Sequence, residues 1–318
     1  MKIATSWSTN SDSVQAAEEA YNSLIEKLDD KPRIMLVHGS CLYDSTALLS
    51  RLTELAPDVP MQGGTSCLGV MTEQGFHSRD AFGLGLLGVA DPEGDYGVGM
   101  ADIGNDPQGA ARIALEDALA QAGRSGEAPA AILVGNTPGD EELIIRAIEE
   151  HVGRGVPIIG GTSADNDMSG QWRQYANNRV SSSGVSVAVL FPSGEIGFSF
   201  HSGYEPTKHQ GRATRAFGRI LHEIDGRPAA RVYNEWTDGL ISGVLPDGGS
   251  LVPAATLTPL GNPVGKIRGV PYYRLSYPVE ALPDGSLLLF TDVRQDCEIV
   301  LMRGTPDSIV SRAGRSAA

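Results

Sequence analysis

The sequence predicts an α/β protein: two pseudo-symmetric βαβαβββ repeats with mixed sheets, about residues 1–92 and 93–193, followed by a smaller α+β domain. Three observations predict it. The phrase VPMQGGTS at Val59–Ser66 returns as VPIIGGTS at Val156–Ser163, so Pro60 and Pro157, like Ser66 and Ser163, stand 97 positions apart. Upstream, PRIMLVHGS from Pro32 and PAAILVGNT from Pro129 keep the same offset of 97. After Gly194 the rhythm stops. Helices, strands and glycines recurring in one order at one offset point to an ancient duplication. Two copies are too few for a solenoid, which leaves two α/β halves packed together.

Each element follows from a local pattern. SVQAAEEAYNSLIEKL and QGAARIALEDALAQAG place Val14, Tyr21, Ile25 and Leu28, and Ala111, Leu115, Ala118 and Ala122, at helical spacing; an amphipathic helix is expected in each copy. The proline and short apolar run in PRIMLVHGS and PAAILVGNT suit buried strands ending in polar turns. LYDSTALLSRLTEL and GDEELIIRAIEEHV then predict helices, the second opening on acidic residues that suit the positive end of a helix. VMTEQGF with AFGLGLLGV, and WRQYANNRV with SGVSVAVLF, read as antiparallel strand pairs. Beyond Gly194, GEIGFSF predicts a strand and RATRAFGRILHEIDG a short helix ending at Gly226. This connecting strand and helix carry the first region to residue 225, and the smaller domain runs over 226–318 with SLLLFTDV and CEIVLMRG as strands. LPDGGSLVPAATLTPLGNPVG, dense in Pro and Gly, reads as an ordered excursion.

With 318 residues, 41% hydrophobic and 20% charged, the composition is that of a folded soluble protein. The 25 Lys and Arg against 39 Asp and Glu leave a formal charge of −14, whose field repels nucleic acid and anionic membrane, so neither is expected as a partner. Cys41, Cys67 and Cys297 are odd in number and widely separated, which reads as reduced thiols. The start, MKIATSWSTNSDSVQ, has no apolar stretch of a signal peptide, and no run of about 18 apolar residues occurs anywhere. A cytoplasmic location is the expectation.

The candidate ligand site comes from the repeated phrase. Consecutive glycines let backbone approach a ligand, and the following hydroxyls donate and accept. Gly63, Gly64, Thr65 and Ser66, with Gly160, Gly161, Thr162 and Ser163, are expected outside the carboxyl ends of parallel strands, where ligands collect. The turns HGS and GNT add His38 and Asn136 at the same face, so four polar loops converge there. The plainer reading makes the glycines tight turns between strands. Asp165 and Asn166 follow the second phrase where Leu68 and Gly69 follow the first. That asymmetry suggests one working pocket, with Asp165 holding an ammonium group and backbone amides a carboxylate.

Other motifs are declined on physical grounds. GLGLLG, Gly83–Gly88, matches G-x-G-x-x-G but precedes a turn and a strand instead of opening a helix, so it is read as small residues in a packed strand. GTSCL and GTSAD lack the final glycine of a nucleophile elbow. No close metal-spaced histidine pair occurs; His201 and His209 read as solvated or hydrogen-bonded, whereas neutral His38 is placed to hydrogen-bond a ligand or bind haem iron, the plainer reading being a histidine satisfied by a neighbouring carbonyl.

VPIIGGTSADN followed by GVSVAVL, then SGYEP, the threonine in RATRAFG, and EIDGRPAARVY resembles the FIST domain proteins, bacterial intracellular sensory proteins with N-terminal and C-terminal FIST modules. The likeness covers most of the chain. It implies signal transduction: a small ligand, with an amino acid expected, sensed for a partner such as a histidine kinase or chemotaxis receptor, with no catalysis and no cofactor. One branch of the family binds haem and senses nitric oxide for a histidine kinase; no histidine here stands in a motif matched to that branch's iron ligand. A serine-dependent hydrolase using Ser66 or Ser163 is the enzymatic alternative. Family members generally continue beyond CEIVLMRG with a helix and strands, whereas this chain stops at SIVSRAGRSAA, which implies a shortened C-terminal module or a cut chain.

Overall fold

A computed structural model of the chain describes residues 1–198, 202–267 and 270–317. The chain divides into two compact units, Met1–Gly197 and Phe198–Ala318. In the first unit, β1 (Lys2–Ser8), α1 (Ser13–Leu28), β2 (Ile34–Ser40), α2 (Ser45–Leu55), β3 (Met61–Ser66), β4 (Val70–Thr72), β5 (Gly75–His77) and β6 (Leu84–Ala90) make one copy. The second copy is β7 (Asp95–Asp102), α3 (Pro107–Gln121), β8 (Ala131–Asn136), α4 (Glu141–Val152), β9 (Ile158–Thr162), β10 (Gln174–Ala176), β11 (Arg179–Ser181) and β12 (Gly184–Phe191).

The two copies share one topology. Strands run β1-β6-β2-β3 in the first and β7-β12-β8-β9 in the second, antiparallel except for the parallel β2–β3 and β8–β9 pairs. Each copy holds one more strand than the expected βαβαβββ. VMTEQGFH doubles back about Glu73 and Gln74 as the hairpin β4–β5, and β10–β11 does the same about Asn177 and Asn178. A run of eight residues with two polar residues at its centre is long enough to pair with itself.

Helix starts show the same duplication. Asp12 accepts from the N–H groups of Val14 and Gln15, Asp44 from those of Thr46 and Ala47, and Asp106 from that of Gly109. Asp140 precedes α4 without a side-chain bond. Such caps satisfy N–H groups that the first turn leaves without partners. The buried face of α1 differs from the expected one. Ala16, Ala17, Ala20, Leu24 and Leu28 are buried, whereas Val14 is exposed and Tyr21 and Ile25 are half-covered. Alanine lets the helix lie close on the sheet, so small residues outcompete the large apolar ones on spacing alone.

Each copy packs its helices on one face of its sheet around its own core. The other faces meet each other through Ile34, Tyr96, Val98, Met100, Ala176 and Ala188. Beside this layer the Tyr96 hydroxyl donates to buried Asp91, which also accepts from the backbone and hydroxyl of Ser193. Burial alone would raise the Asp91 pKa; the three hydrogen bonds outweigh it and hold the group below its usual value.

The second unit contains β13 (Tyr204–Phe217), β14 (Ile220–Ile224), β15 (Arg227–Pro228), α5 (Ala229–Trp236), β16 (Gly249–Ser250) and α6 (Val252–Ala255). It continues with β17 (Leu260–Ile267), β18 (Val270–Ser276), β19 (Pro278–Ala281), β20 (Leu287–Leu289), β21 (Glu298–Gly304) and α7 (Pro306–Ala317). Its sheet runs β16-β19-β20-β14-β13-β21-β17-β18, with β15 beside β14. The helix expected over RATRAFGRILHEIDG is instead the β13–β14 hairpin, turning at Gly218 with φ of 54°. Its apolar residues satisfy either period over so short a stretch, and pairing with β21 decides for strand. The expected strand GEIGFSF has none over Gly194–Phe198, and Ser199 and Phe200 lie outside the described residues. SLLLFTDV and CEIVLMRG supply β20 and β21 as expected, and the Pro- and Gly-rich run holds β16, α6 and the start of β17.

Candidate functional site

The repeated phrases are strands, not the loops expected. Gly63–Ser66 belong to β3 and Gly160–Thr162 to β9, each hydrogen-bonded in parallel to the preceding apolar strand. The first glycine of each phrase is demanded by that pairing. A Cβ on Gly63 would lie 1.8 Å from the Val37 carbonyl oxygen, and on Gly160 1.9 Å from that of Val134. No side chain fits such an approach.

The two phrases meet. The Ala164 N–H donates to the Thr65 carbonyl at 2.9 Å, and the Asn166 side chain accepts from the Leu68 N–H at 2.7 Å. Between them lies a cleft of about 230 Å³, open to water. Its walls are Leu36, His38, Gln62, Gly63 and Thr65 from the first copy, and Leu133, Val134, Gly135 and Ile159–Ser163 from the second. Of the residues singled out in the sequence, His38, Gly63, Thr65, Gly160, Gly161, Thr162 and Ser163 line this cleft.

The others stand elsewhere. Gly64 is buried with Arg173 and Ser163 against it, and Ser66 faces a neighbouring groove with Val70 and Met71. Asn136 is buried, donating to the Thr137 carbonyl while its own carbonyl accepts from the Ser163 N–H. Asn166 ties the two copies together. The asymmetry assigned to Asp165 has a different cause: its carboxylate accepts from the N–H groups of Met168 at 2.6 Å and Gln171 at 2.8 Å, building the loop that carries the chain from β9 to β10.

Sequence reasoning passed over Gln62 and Ile159, which occupy the fourth position of the phrase, one of the two that differ between copies. Both face the cleft, so the variable position makes one wall polar and the other apolar. Gln62 is buried and donates to the Ser186 hydroxyl at 3.2 Å, which in turn donates to the Gly135 carbonyl. A glutamine directly before the glycine pair, where the other copy has isoleucine, was the available signal.

His38 presents one side to water and is surrounded by protein on its others, since it stands on a concave wall. Desolvation on that wall lowers its pKa, partly opposed by a backbone hydrogen bond at Gly64, and so favours the neutral imidazole, a group that both donates and accepts. Ser66 Oγ donates to the Gly69 carbonyl. Among the described residues no histidine or carboxylate hydrogen-bonds Ser66 or Ser163, so neither has the adjacent base an activated serine needs. Among the described residues no cluster of His, Cys, Asp and Glu could hold a metal, and no helix is long and apolar enough to cross a membrane. Cys41, Cys67 and Cys297 are free thiols. His209 stacks on Trp236 at 6.2 Å between ring centres, and His201 lies outside the described residues.

Asp165 gives a testable stability role. Burial is the largest influence on its pKa and would raise it; the backbone N–H groups of Gln171, Met168, Gly170 and Asp167 outweigh burial and lower it. A carboxyl whose folded pKa is depressed adds stability above its unfolded value, and this is lost as pH falls through the folded value. Asp165→Asn is expected to destabilise the first unit by about 2 kcal/mol at pH 7 and by progressively less below about pH 4. Urea unfolding across pH checks this; an equal loss at pH 7 and pH 3 would contradict it.

Comparison with known proteins adds four findings. Residues 33–227 match the FIST N domain. An uncharacterized protein of Methanocaldococcus jannaschii is 34% identical over 80 residues, which are 25% of this chain and only 16% of that relative's length. Cyanuric acid hydrolase from A. caulinodans superposes with a TM-score of 0.33 at 10% identity, covering 85% of this chain and 83% of that one. A second cyanuric acid hydrolase gives 0.32 at 12% identity, covering 85% and 84%.

Proposed function

We propose, because this chain belongs to the FIST N domain family of signal-transduction sensory domains, that the cleft between its two copies is the sensory site and takes a ligand of amino-acid size. The observation that carries this reading is the meeting of the two phrases around one water-open cleft. His38 and Gln62 supply polar contacts, and Leu36, Leu133 and Ile159 supply apolar ones. A few placed polar groups in an apolar pocket orient a small amphipathic guest.

Size favours this ligand class. Drug-sized molecules occupy clefts of roughly 300–1,000 Å³. The 230 Å³ available here suits an amino acid and is small for a porphyrin, so a haem reading finds no support in the position of His38. A ligand touching both walls would stiffen one copy against the other, a change that a partner protein reads. That partner is a signalling protein such as a histidine kinase or chemotaxis receptor, in the cytoplasm; the charge of −14 fits neither nucleic acid nor an anionic membrane.

Isothermal titration of the full chain against the twenty amino acids tests the reading. At least one is expected to bind with micromolar affinity, and His38→Ala to weaken it tenfold or more, about 1.4 kcal/mol. His38 is on an open wall, so its circular dichroism and melting temperature should stay close to wild type. No binding from the panel, or binding unaffected by His38→Ala and Gln62→Ala, would refute the proposal.

A further inference from the structure

Among the described residues one hydrogen-bonded strand pairing joins the copies, and elsewhere both halves of that same pairing stand without a mate. In the mated case the β10–β11 hairpin of the second copy adds to the free edge of β3 in the first. Tyr175 pairs with Gly63, Gln174 with Gly64 and Ala176 with Gln62, all antiparallel. Tyr175 is fully buried in the first copy's core, and its hydroxyl shares a 2.8 Å hydrogen bond with Ser45.

The unmated hairpin is β4–β5. Its internal register matches β10–β11 residue for residue: Val70–His77, Met71–Phe76 and Thr72–Gly75 against Gln174–Ser181, Tyr175–Val180 and Ala176–Arg179. It is held across its own sheet, as β10–β11 is. Trp7 of β1 stacks on His77 at 4.0 Å and donates to Gln74 at 3.1 Å, while Asn177 and Arg179 of the other hairpin bond carbonyls of β7. Among the described residues β4 pairs with β5 alone, so its outer edge is free. Met71, in the position of buried Tyr175, is 77% exposed. Phe76, in the position of half-buried Val180, is 58% exposed.

The unmated edge is β9, which among the described residues pairs with β8 alone. Its glycines carry a second sign. A Cβ on Gly64 would lie 2.2 Å from the Ser163 hydroxyl oxygen and 2.7 Å from the carbonyl oxygen of Arg173, which leads into the docked strand, so the mate's backbone is one of the two neighbours that leave room only for glycine. Gly161 is the equivalent glycine of β9, and a Cβ on it would meet nothing within 4 Å. In the same copy, Ile145 of α4 is 41% exposed, whereas Leu49, its counterpart counted from the aspartate that precedes each helix, is buried in α2, which packs on β11.

We propose that two copies of this chain associate head to tail, the β4–β5 hairpin of each adding to β9 of the other, with Met71 opposite the partner's Gly160. The occupant is a second copy because this chain holds both complementary halves, in the register it already uses once. Paired edges satisfy backbone groups that otherwise template uncontrolled association, and two reciprocal contacts close a ring with neither of these edges left over.

Light scattering coupled to size exclusion, over a concentration series of the full chain, is expected to give twice the chain mass. Met71→Asp and Gly161→Val should each give the monomer mass with the circular dichroism of wild type, since both sites are open in the single chain. Thr72→Cys with Ile159→Cys, in a Cys67→Ser background, should form an intermolecular disulfide on oxidation, because Thr72 takes the place of Ala176 opposite Gln62 and Ile159 that of Gln62. A wild-type chain that stays monomeric at every concentration overturns the proposal. So does a dimer that survives both single substitutions, or one whose paired cysteines fail to cross-link.

Discussion

Gly63→Ala is expected to destabilise the first unit by about 3 kcal/mol or more, read as a fall in the urea midpoint without a change in slope. The added methyl would sit 1.8 Å from the Val37 carbonyl oxygen, within a parallel strand pair buried under α1 and α2. Relief requires moving backbone, not a flexible side chain, and two strands of the sheet must part. Gly161→Ala, two residues beyond Ile159 in the other copy, meets nothing within 4 Å and should change stability by less than about 0.5 kcal/mol. Equal effects at the two positions would show that the repeated glycines do not act through close approach at all. Gly160→Ala should behave like Gly63→Ala, with its clash at 1.9 Å.

Tyr175→Ala should cost about 3–5 kcal/mol, the range for emptying a large buried aromatic site. Its ring fills the first copy's core from the second copy's hairpin, so the loss falls on the joint between copies as well as on packing. Tyr175→Phe removes only the bond to Ser45 and should cost about 1 kcal/mol. Burial pushes the phenol pKa up to about 12, so the ring stays neutral throughout the range in which the protein is handled. A small effect of Tyr175→Ala, with unchanged protection of β3 amides from hydrogen exchange, would mean that the hairpin contributes little to holding the copies together.

These predictions separate what was legible in the chain from what was not. The duplication could be read because α/β units repeat their own signals: IMLVHGS and AILVGN are the equivalent strands of the two copies, and SVQAAEEAYNSLIEKL is helical over the residues expected. The cleft residues His38, Thr65, Gly161 and Ser163 were within reach because a phrase repeated at a fixed offset marks equivalent positions in equivalent units. The helix expected over RATRAFGRILHEIDG failed, since a short apolar pattern fits both periods and a long-range partner, β21, chose between them. Asp165 was misplaced for a related reason: a carboxylate after a glycine-rich phrase satisfies a ligand or a loop equally well in sequence, and only the N–H groups of Met168 and Gln171 show which.

By itself, the sequence determined the family, the order of elements and the equivalence of the two copies, because each rests on local propensity and on repetition along the chain. Only the tertiary structure decided that the glycine phrases are strands pressed against neighbouring carbonyls. It also decided that Gln62 and Ile159 face one cleft, and that one hairpin is mated while its twin is bare. Those outcomes depend on which distant backbone lies beside each residue, a distance of a few ångströms that no pattern along one dimension records.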